Sequence, residues 1–278
     1  MSGVPGRIGG WLATGVLLSL TVGCAVHGAH PVAPGRVSSH LVAPDDEGGW
    51  ETTITPYLWT MGLDGDITIK GNTASMDVGF TDLLRSLDYG GQVHIETRRG
   101  DWAFFVNPSF FALSEDGNLG PIGLEGDLSI LLGEAGVMHR VGEWQTDEGR
   151  AAELDLLAGI RHMNVDATLN LSAPGPMGIG TKLAADKGWT DPIVGARYIR
   201  PLSESARLMV QGDVGGFGVG SDFTWNLMAL VSHEQGDGQR LWFGYRILDI
   251  DYSDGSGTSQ FALDAQMRGL LFGWQFPF

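Results

Sequence analysis

Hydrolysis by a nucleophile needs a serine, a histidine and a carboxylate within hydrogen-bond reach of one another. This chain supplies the residue types without the arrangement. Of its seven histidines two fall in the N-terminal segment, leaving His40, His94, His139, His162 and His233. The stretch "VSHE" puts Ser232 beside His233, but neighbours on a strand point to opposite faces. No G-x-S-x-G elbow occurs, and "GSGTS" does not fit one. A second chemistry is calcium binding: in "DIDYSDGSGTSQ", Asp249, Asp251 and Asp254 bring hard oxygen ligands into a Gly-rich stretch. An EF-hand loop would place Gly sixth and Glu twelfth, where this chain has Asp254 and Gln260, so a structured acidic loop is expected instead. A third set is charged: His94, Glu96, Arg98, Asp155, Arg161, Asp191, Arg197, Arg207, Asp213 and Arg246, joined under one register by Asp264 and Arg268. On a common inner surface they would line a narrow pore, bind a polar solute, or fill the space as an ion-pair network.

The elements that carry these charges read as strands. In "ARLMVQGDVGGFG" Ala206, Leu208, Val210, Gly212 and Val214 fall on one face, and Arg207, Gln211 and Asp213 on the other. Likewise Pro192, Val194, Ala196 and Tyr198 oppose Asp191 and Arg197, while Val93, Ile95 and Thr97 oppose His94, Glu96 and Arg98. About ten such segments follow one another: 50–69, 89–99, 101–113, 125–141, 151–169, 188–201, 205–218, 222–234, 239–252 and 259–278. Short connections ("RRGD", "PLSES", "HEQGDG", and the medium "GEWQTDEG") alternate with longer or Gly-rich ones. An antiparallel up-and-down barrel in an outer membrane sorts its connections this way, with short periplasmic turns and longer extracellular loops. The expectation is therefore an all-β transmembrane barrel of about ten strands, with both ends periplasmic and charged faces inward. Closure also pairs every strand edge, as hydrocarbon demands. Trp50, Tyr57, Trp59, Trp102, Trp189, Trp242 and Tyr245 lie near segment ends or on apolar faces; aromatics suit interfacial girdles, and for each of these core or lipid packing is expected over ligand stacking. One stretch, "TDLLRSLDYGG" (81–91), has helical spacing at Leu83, Leu84 and Leu87, with Thr81 as N-cap and Gly90 as stop. It predicts a short helix over the extracellular mouth.

Composition agrees with a single barrel. The 278 residues include 43 Gly but only 12 Pro, and the glycines sit inside apolar segments, as bends or close approaches between strands. A formal net charge of −16 argues against nucleic acid as a partner, which needs a basic face. "MSGVPGR" followed by the uncharged "IGGWLATGVLLSLTVG" reads as a secretory signal peptide over 1–24, too short for a comfortable span. Residues 25–49 read as an exported irregular leader and 50–278 as the barrel. The single cysteine, Cys24, stands at that junction in "LTVGC", which partly resembles a lipobox although Thr21 occupies the usual Leu position. Lipidation and ordinary signal cleavage both stay open. With one cysteine there is no disulfide framework and no cysteine metal site, and no cofactor motif is present.

The chain ends in "FGWQFPF". Phe272, Trp274, Phe276 and Phe278 alternate and finish on a terminal Phe, which resembles the signal that the outer-membrane assembly machinery reads in bacterial barrels. With "TPYLWTMGLDGDITI", "VGFTDLLRSLDYGG", "ETRRGDWAFF" and "LWFGYRILDIDY", the chain resembles, over about residues 50–278, a family of poorly characterised outer-membrane barrel proteins of Gram-negative bacteria. That resemblance implies fold, location, and membrane lipids and assembly machinery as partners. It supplies no catalytic residues. Continued upward, the aromatic parity reaches Arg268, Gln266 and Asp264; a bulge near Gly269 would exchange the faces and turn Phe261, Leu263 and Met267 toward lipid, and that is the expectation. Three classes of function result: a structural, adhesive or small-solute passage barrel; an outer-membrane hydrolase acting on lipid or lipopolysaccharide; and a soluble ligand-binding barrel, whose apolar residues would face inward.

Overall fold

Two-residue alternation becomes strands throughout. The computed structural model describes residues 49–119, 122–146, 149–172 and 180–278. The expected signal peptide, Cys24 and all but the last residue of the expected leader lie outside them. Eleven strands occur among the described residues: β1 (Glu51–Ile69), β2 (Asn72–Val78), β3 (Leu87–Arg99), β4 (Trp102–Leu119), β5 (Ile122–Gln145), β6 (Ala151–Ser172), β7 (Gly180–Pro201), β8 (Ala206–Gly215), β9 (Phe223–Gly236), β10 (Gln239–Asp254) and β11 (Phe261–Pro277). Each strand from β3 to β11 pairs with the next, and β1 joins β3 on one side and β11 on the other, closing ten strands into an antiparallel barrel. The eleventh, β2, adds only to the outer part of β1, from Leu63↔Val78 to Ile69↔Asn72. The short turns and the chain's C-terminus share one end, the periplasmic end of such a barrel.

Along each strand the solvent outside changes, and the polarity of the two faces changes with it. In the periplasmic half, outward residues are apolar (Phe104, Leu156, Val194, Phe243, Phe272), and the buried charges point inward beside apolar residues such as Met209 and Leu271. In the outer half Asp66, Asp251 and Asp264 point outward, while Trp59, Ile130, Met163, Trp189, Leu248, Ile250, Phe261, Leu263 and Met267 pack inside as one apolar cluster. The strands thus continue past the membrane as a water-exposed extension with an apolar core.

This inversion removes the need for a bulge. The β1–β11 register runs unshifted from Thr53↔Pro277 to Ile69↔Phe261, and the β10–β11 register is equally regular. Phe272 and Trp274 face outward, and so do Arg268 and Asp264 two turns of the pleat further up. Arg268 therefore does not join the interior charges, contrary to expectation. Its parity is that of the aromatics, but its surroundings are water. Phe261, Leu263 and Met267 face inward for the same reason. Gly269 also faces inward, where a Cβ would collide with the Thr60 carbonyl of β1.

Two seams interrupt the wall. The β1–β3 ladder stops at Pro56↔Val93, since proline has no N–H to continue it. Above it the Gln92 side chain stands in for the ladder, its Oε1 accepting from the Trp59 N–H at 2.6 Å. Helix α1 (Phe80–Ser86) lies nearby, capped by Gly79 rather than Thr81, and sends Leu83 against the apolar core. The second seam stands above the β8–β9 connection. There β7 and β10 meet through side chains alone: Trp189 stacks on Tyr252 at 4.0 Å and Lys187 pairs with Asp254 at 2.8 Å.

Several aromatics therefore serve the interior instead of a girdle. Tyr57, Trp59, Trp189 and Trp242 turn toward the lumen or core, whereas Trp50, Trp102 and Tyr245 are exposed on the outside or rim.

Candidate functional site in the lumen

Inward-facing positions of β3 to β10 bring the charges to two levels. Deeper in, Glu134 of β5 is the hub. Its Oε1 accepts from Arg161 Nε at 2.9 Å and Arg246 Nη2 at 2.8 Å, and its Oε2 accepts from Asn107 Nδ2 at 2.8 Å. Arg161 Nη2 reaches Asp213 Oδ1 at 2.6 Å, Asn226 Nδ2 donates to Asp213 Oδ2 at 2.8 Å, and Arg246 Nε donates to Asn226 Oδ1 at 2.8 Å. Arg246 also lies 4.9 Å from the centroid of the Trp59 ring. Two carboxylates and two guanidiniums close a ring with every charge countered. Buried charges persist only when paired and hydrogen-bonded in this way.

The second level lies nearer the periplasm. Arg197 grips Glu96 through Nη1 at 2.5 Å and Nη2 at 3.0 Å, and donates from Nη2 to Asp155 Oδ2 at 2.8 Å. Arg98 Nη2 donates to the same Asp155 oxygen at 2.6 Å, and Arg140 pairs with Glu153. His94 Nε2 stands 3.5 Å from Glu96 Oε2. Here three carboxylates meet three guanidiniums, and this group retains spare donors: Arg98 Nη1, Arg140 Nε and Arg197 Nε are buried without a hydrogen-bond partner among the described residues.

Of the interior charges predicted from sequence, His94, Glu96, Arg98, Asp155, Arg161, Arg197, Asp213 and Arg246 sit in these two groups. Asp191 is buried apart from them; its carboxylate accepts from the Ser221 N–H at 2.5 Å and hydroxyl at 2.8 Å, pinning the β8–β9 connection. Arg207 faces the lumen and has no hydrogen bond or ion pair among the described residues. Sequence reasoning missed Glu134, Arg140 and Glu153. The signal for the first two was present, since Glu134 and Arg140 share a parity opposite the uncharged Leu131, Gly133, Ala135 and Val137.

Above the deeper ring the lumen is filled by the apolar cluster around Trp59, Met163, Trp189, Leu248 and Met267. Below it a cavity of about 680 Å³ extends from Tyr57 and Arg246 to the periplasmic rim at Trp50, Pro277 and Phe278.

The remaining candidates separate. Ser232 is buried while its neighbour His233 is exposed. His233 Nε2 instead lies 3.3 Å from Ser205 Oγ and its Nδ1 3.2 Å from Gln235, so no carboxylate completes a triad. Asp249 and Asp251 are strand residues, Asp254 pairs with Lys187, and no group of three metal-ligating side chains forms among the described residues.

By sequence, no family model and no curated protein matches the chain. Solved structures do. The outer membrane protease OmpT from Escherichia coli superposes with a TM-score of 0.51 at 7% identity, covering 87% of this chain and all of that one. The fold is the outer-membrane β-barrel. Neisserial surface protein A is also similar, with a TM-score of 0.32 at 10% identity over 83% of this chain and 99% of its own. So is Ail of Yersinia pestis, with a TM-score of 0.33 at 10% identity over 82% of this chain and 99% of that one. At such identities the likeness concerns architecture and carries no activity.

Proposed function

We propose that this outer-membrane barrel is a sealed, non-conducting structural protein that holds a rigid extension above the membrane, and is not a solute passage. The observation that carries this reading is the apolar plug. Met163, Leu248 and Met267 are at most 2% exposed, and they stand in the lumen between the deeper charged ring and the outer opening. A hydrated ion would have to leave its water to pass them. The outer leaflet and inner leaflet lipids would be the partners of the apolar wall, and Phe272, Trp274, Phe276 and Phe278 would serve as the assembly signal. Support for the latter is their position: the closing strand ends at the periplasmic rim, with the Phe278 N–H donating to Thr52 at 2.9 Å. Purified protein in planar bilayers should be silent, whereas a Trp59→Ala, Met163→Ala, Met267→Ala variant should show discrete conductance steps. Steps of uniform size from the unaltered chain would refute the proposal.

A further inference from the structure

The periplasmic cavity has two unlike walls. On the β3–β7 side stand the paired charges. On the β8–β11 side Met209, Leu230 and Leu271 form a separate apolar cluster, each at most 9% exposed, with Met228 and Trp242 packed against it. Its volume of about 680 Å³ lies within the usual range of small-molecule sites. A barrel filled only for stability would not need an apolar wall facing an open, hydrated mouth.

At the lower edge of that wall, arginine is present in excess. Among the described residues Arg207 carries no counter-ion. Arg240, one strand beyond the intervening β9, donates to Ser232 Oγ at 3.4 Å and pairs with Glu234 at 2.6 Å. Ser232 is itself the cross-strand partner of Arg207, so the two arginines flank one serine. A chain with nearly twice as many acids as bases, 33 against 17, thus sets two arginines side by side and balances one of them. Deeper along the same space, the buried Nε of Arg197 has no hydrogen-bond partner among the described residues.

We propose that this cavity binds a single-chain anionic amphiphile. Its headgroup, a carboxylate or phosphate monoester, sits between Arg207 and Arg240, and its hydrocarbon tail runs inward over Met209, Leu230 and Leu271. From Arg207 to Gln211 the apolar wall offers about 13 Å of strand along which a chain can lie. A guanidinium meets either headgroup through paired N–H donors. A free fatty acid and a lysophospholipid phosphate present the same chemistry. Entry is from the periplasmic mouth, since the apolar plug closes the other end. The inference rests on the sealed-lumen reading for its direction of entry, but binding is scored independently of conductance.

The test uses the full barrel in nanodiscs of zwitterionic phosphatidylcholine and a dansyl-labelled undecanoate as probe. Saturable fluorescence enhancement above that of empty nanodiscs is expected. An R207Q/R240Q variant should bind at least about tenfold more weakly. Charge reversal, R207E/R240E, should transfer the preference to a dansyl-labelled alkylamine. Met209→Trp, which narrows the tail path while leaving the arginines, should abolish binding even where heat-modifiable migration shows a folded barrel. Competition separates the sources: displacement by laurate identifies a fatty-acid site and displacement by lysophosphatidate a lysolipid site. Failure of both to displace, equal affinity in the R207Q/R240Q variant, or no saturable signal would overturn the proposal. Conductance steps with intact probe binding would sink the sealed-barrel reading alone.

Discussion

Met267→Ala and Arg268→Ala, made separately, probe the two faces of β11 at adjacent positions. Met267 is 1% exposed inside the apolar plug. Truncating it loses the transfer energy of the thioether and leaves a void that ten strands of hydrogen-bonded wall cannot close, costing about 2–5 kcal/mol. That corresponds to about thirty-fold or more in the unfolding equilibrium. Arg268 is exposed, and its Nη1 donates to the neighbouring Gln266 Oε1 at 3.3 Å. Its loss should shift stability by no more than about 0.5 kcal/mol. Urea unfolding in lipid vesicles, followed by tryptophan fluorescence, measures both. If the strand carried a bulge at Gly269, the ranking would invert, because Met267 would lie in lipid and Arg268 in the charged lumen. A larger loss for Arg268→Ala than for Met267→Ala would refute the continuous register and the apolar plug with it.

Three further outcomes follow from the geometry. Arg161→Met should cost about 3–5 kcal/mol in the same unfolding assay, because Asp213 would lose the guanidinium that pairs with it while still buried, and adding Asp213→Asn should restore part of the loss. Trp189→Ala should cost about 3–5 kcal/mol and speed proteolytic cleavage of the β8–β9 connection, since the indole both stacks on Tyr252 and donates to Ser221 Oγ at 2.8 Å. Asp251 lies in the water-exposed extension, where partial burial and then the charges of Asp264, Asp222 and Asp249 raise its pKa above the ordinary value. The folded chain therefore holds that proton more tightly than the unfolded one, and stability falls as pH rises from the ordinary aspartate range through the raised value. Asp251→Asn should accordingly melt higher than the unaltered chain near pH 7 and no differently near about pH 3, as read by thermal scans at the two pH values.

The periplasmic half of the barrel was legible in the sequence because one face meets lipid and the other meets charge, so simple alternation in segments such as 205–218 identifies both. The outer half was not, since hydropathy parity records what surrounds a face and not which way it points. Leu263 and Met267 follow the lumen parity and Asp264 and Arg268 the outer one, yet on that outer face charge stands where Phe272 and Trp274, at the same parity, are apolar. Residue type is similarly ambiguous for Trp59, Trp189 and Trp242: an aromatic ring suits an interface, a plug or a pocket wall equally well. Glu134 escaped notice because its face of β5 also carries Leu132 and Met138, which blurs the charged stripe. β2 was lost in a long connection because it is short and mostly exposed, and the alternation of Ala74, Met76 and Val78 with Thr73, Ser75 and Asp77 spans only seven residues.

The change of polarity along the wall also fixes how deep the barrel floats. Sinking toward the periplasm would drag Asp66, Asp251 and Asp264 into hydrocarbon. Rising would draw in Arg99 and Arg200, which point outward beneath the apolar belt. Each charge brought to the bilayer midplane costs up to about 2–4 kcal/mol, and several strands would incur that cost together. The molecule thus carries its own waterline, and the cavity mouth is held level with the inner surface of the membrane.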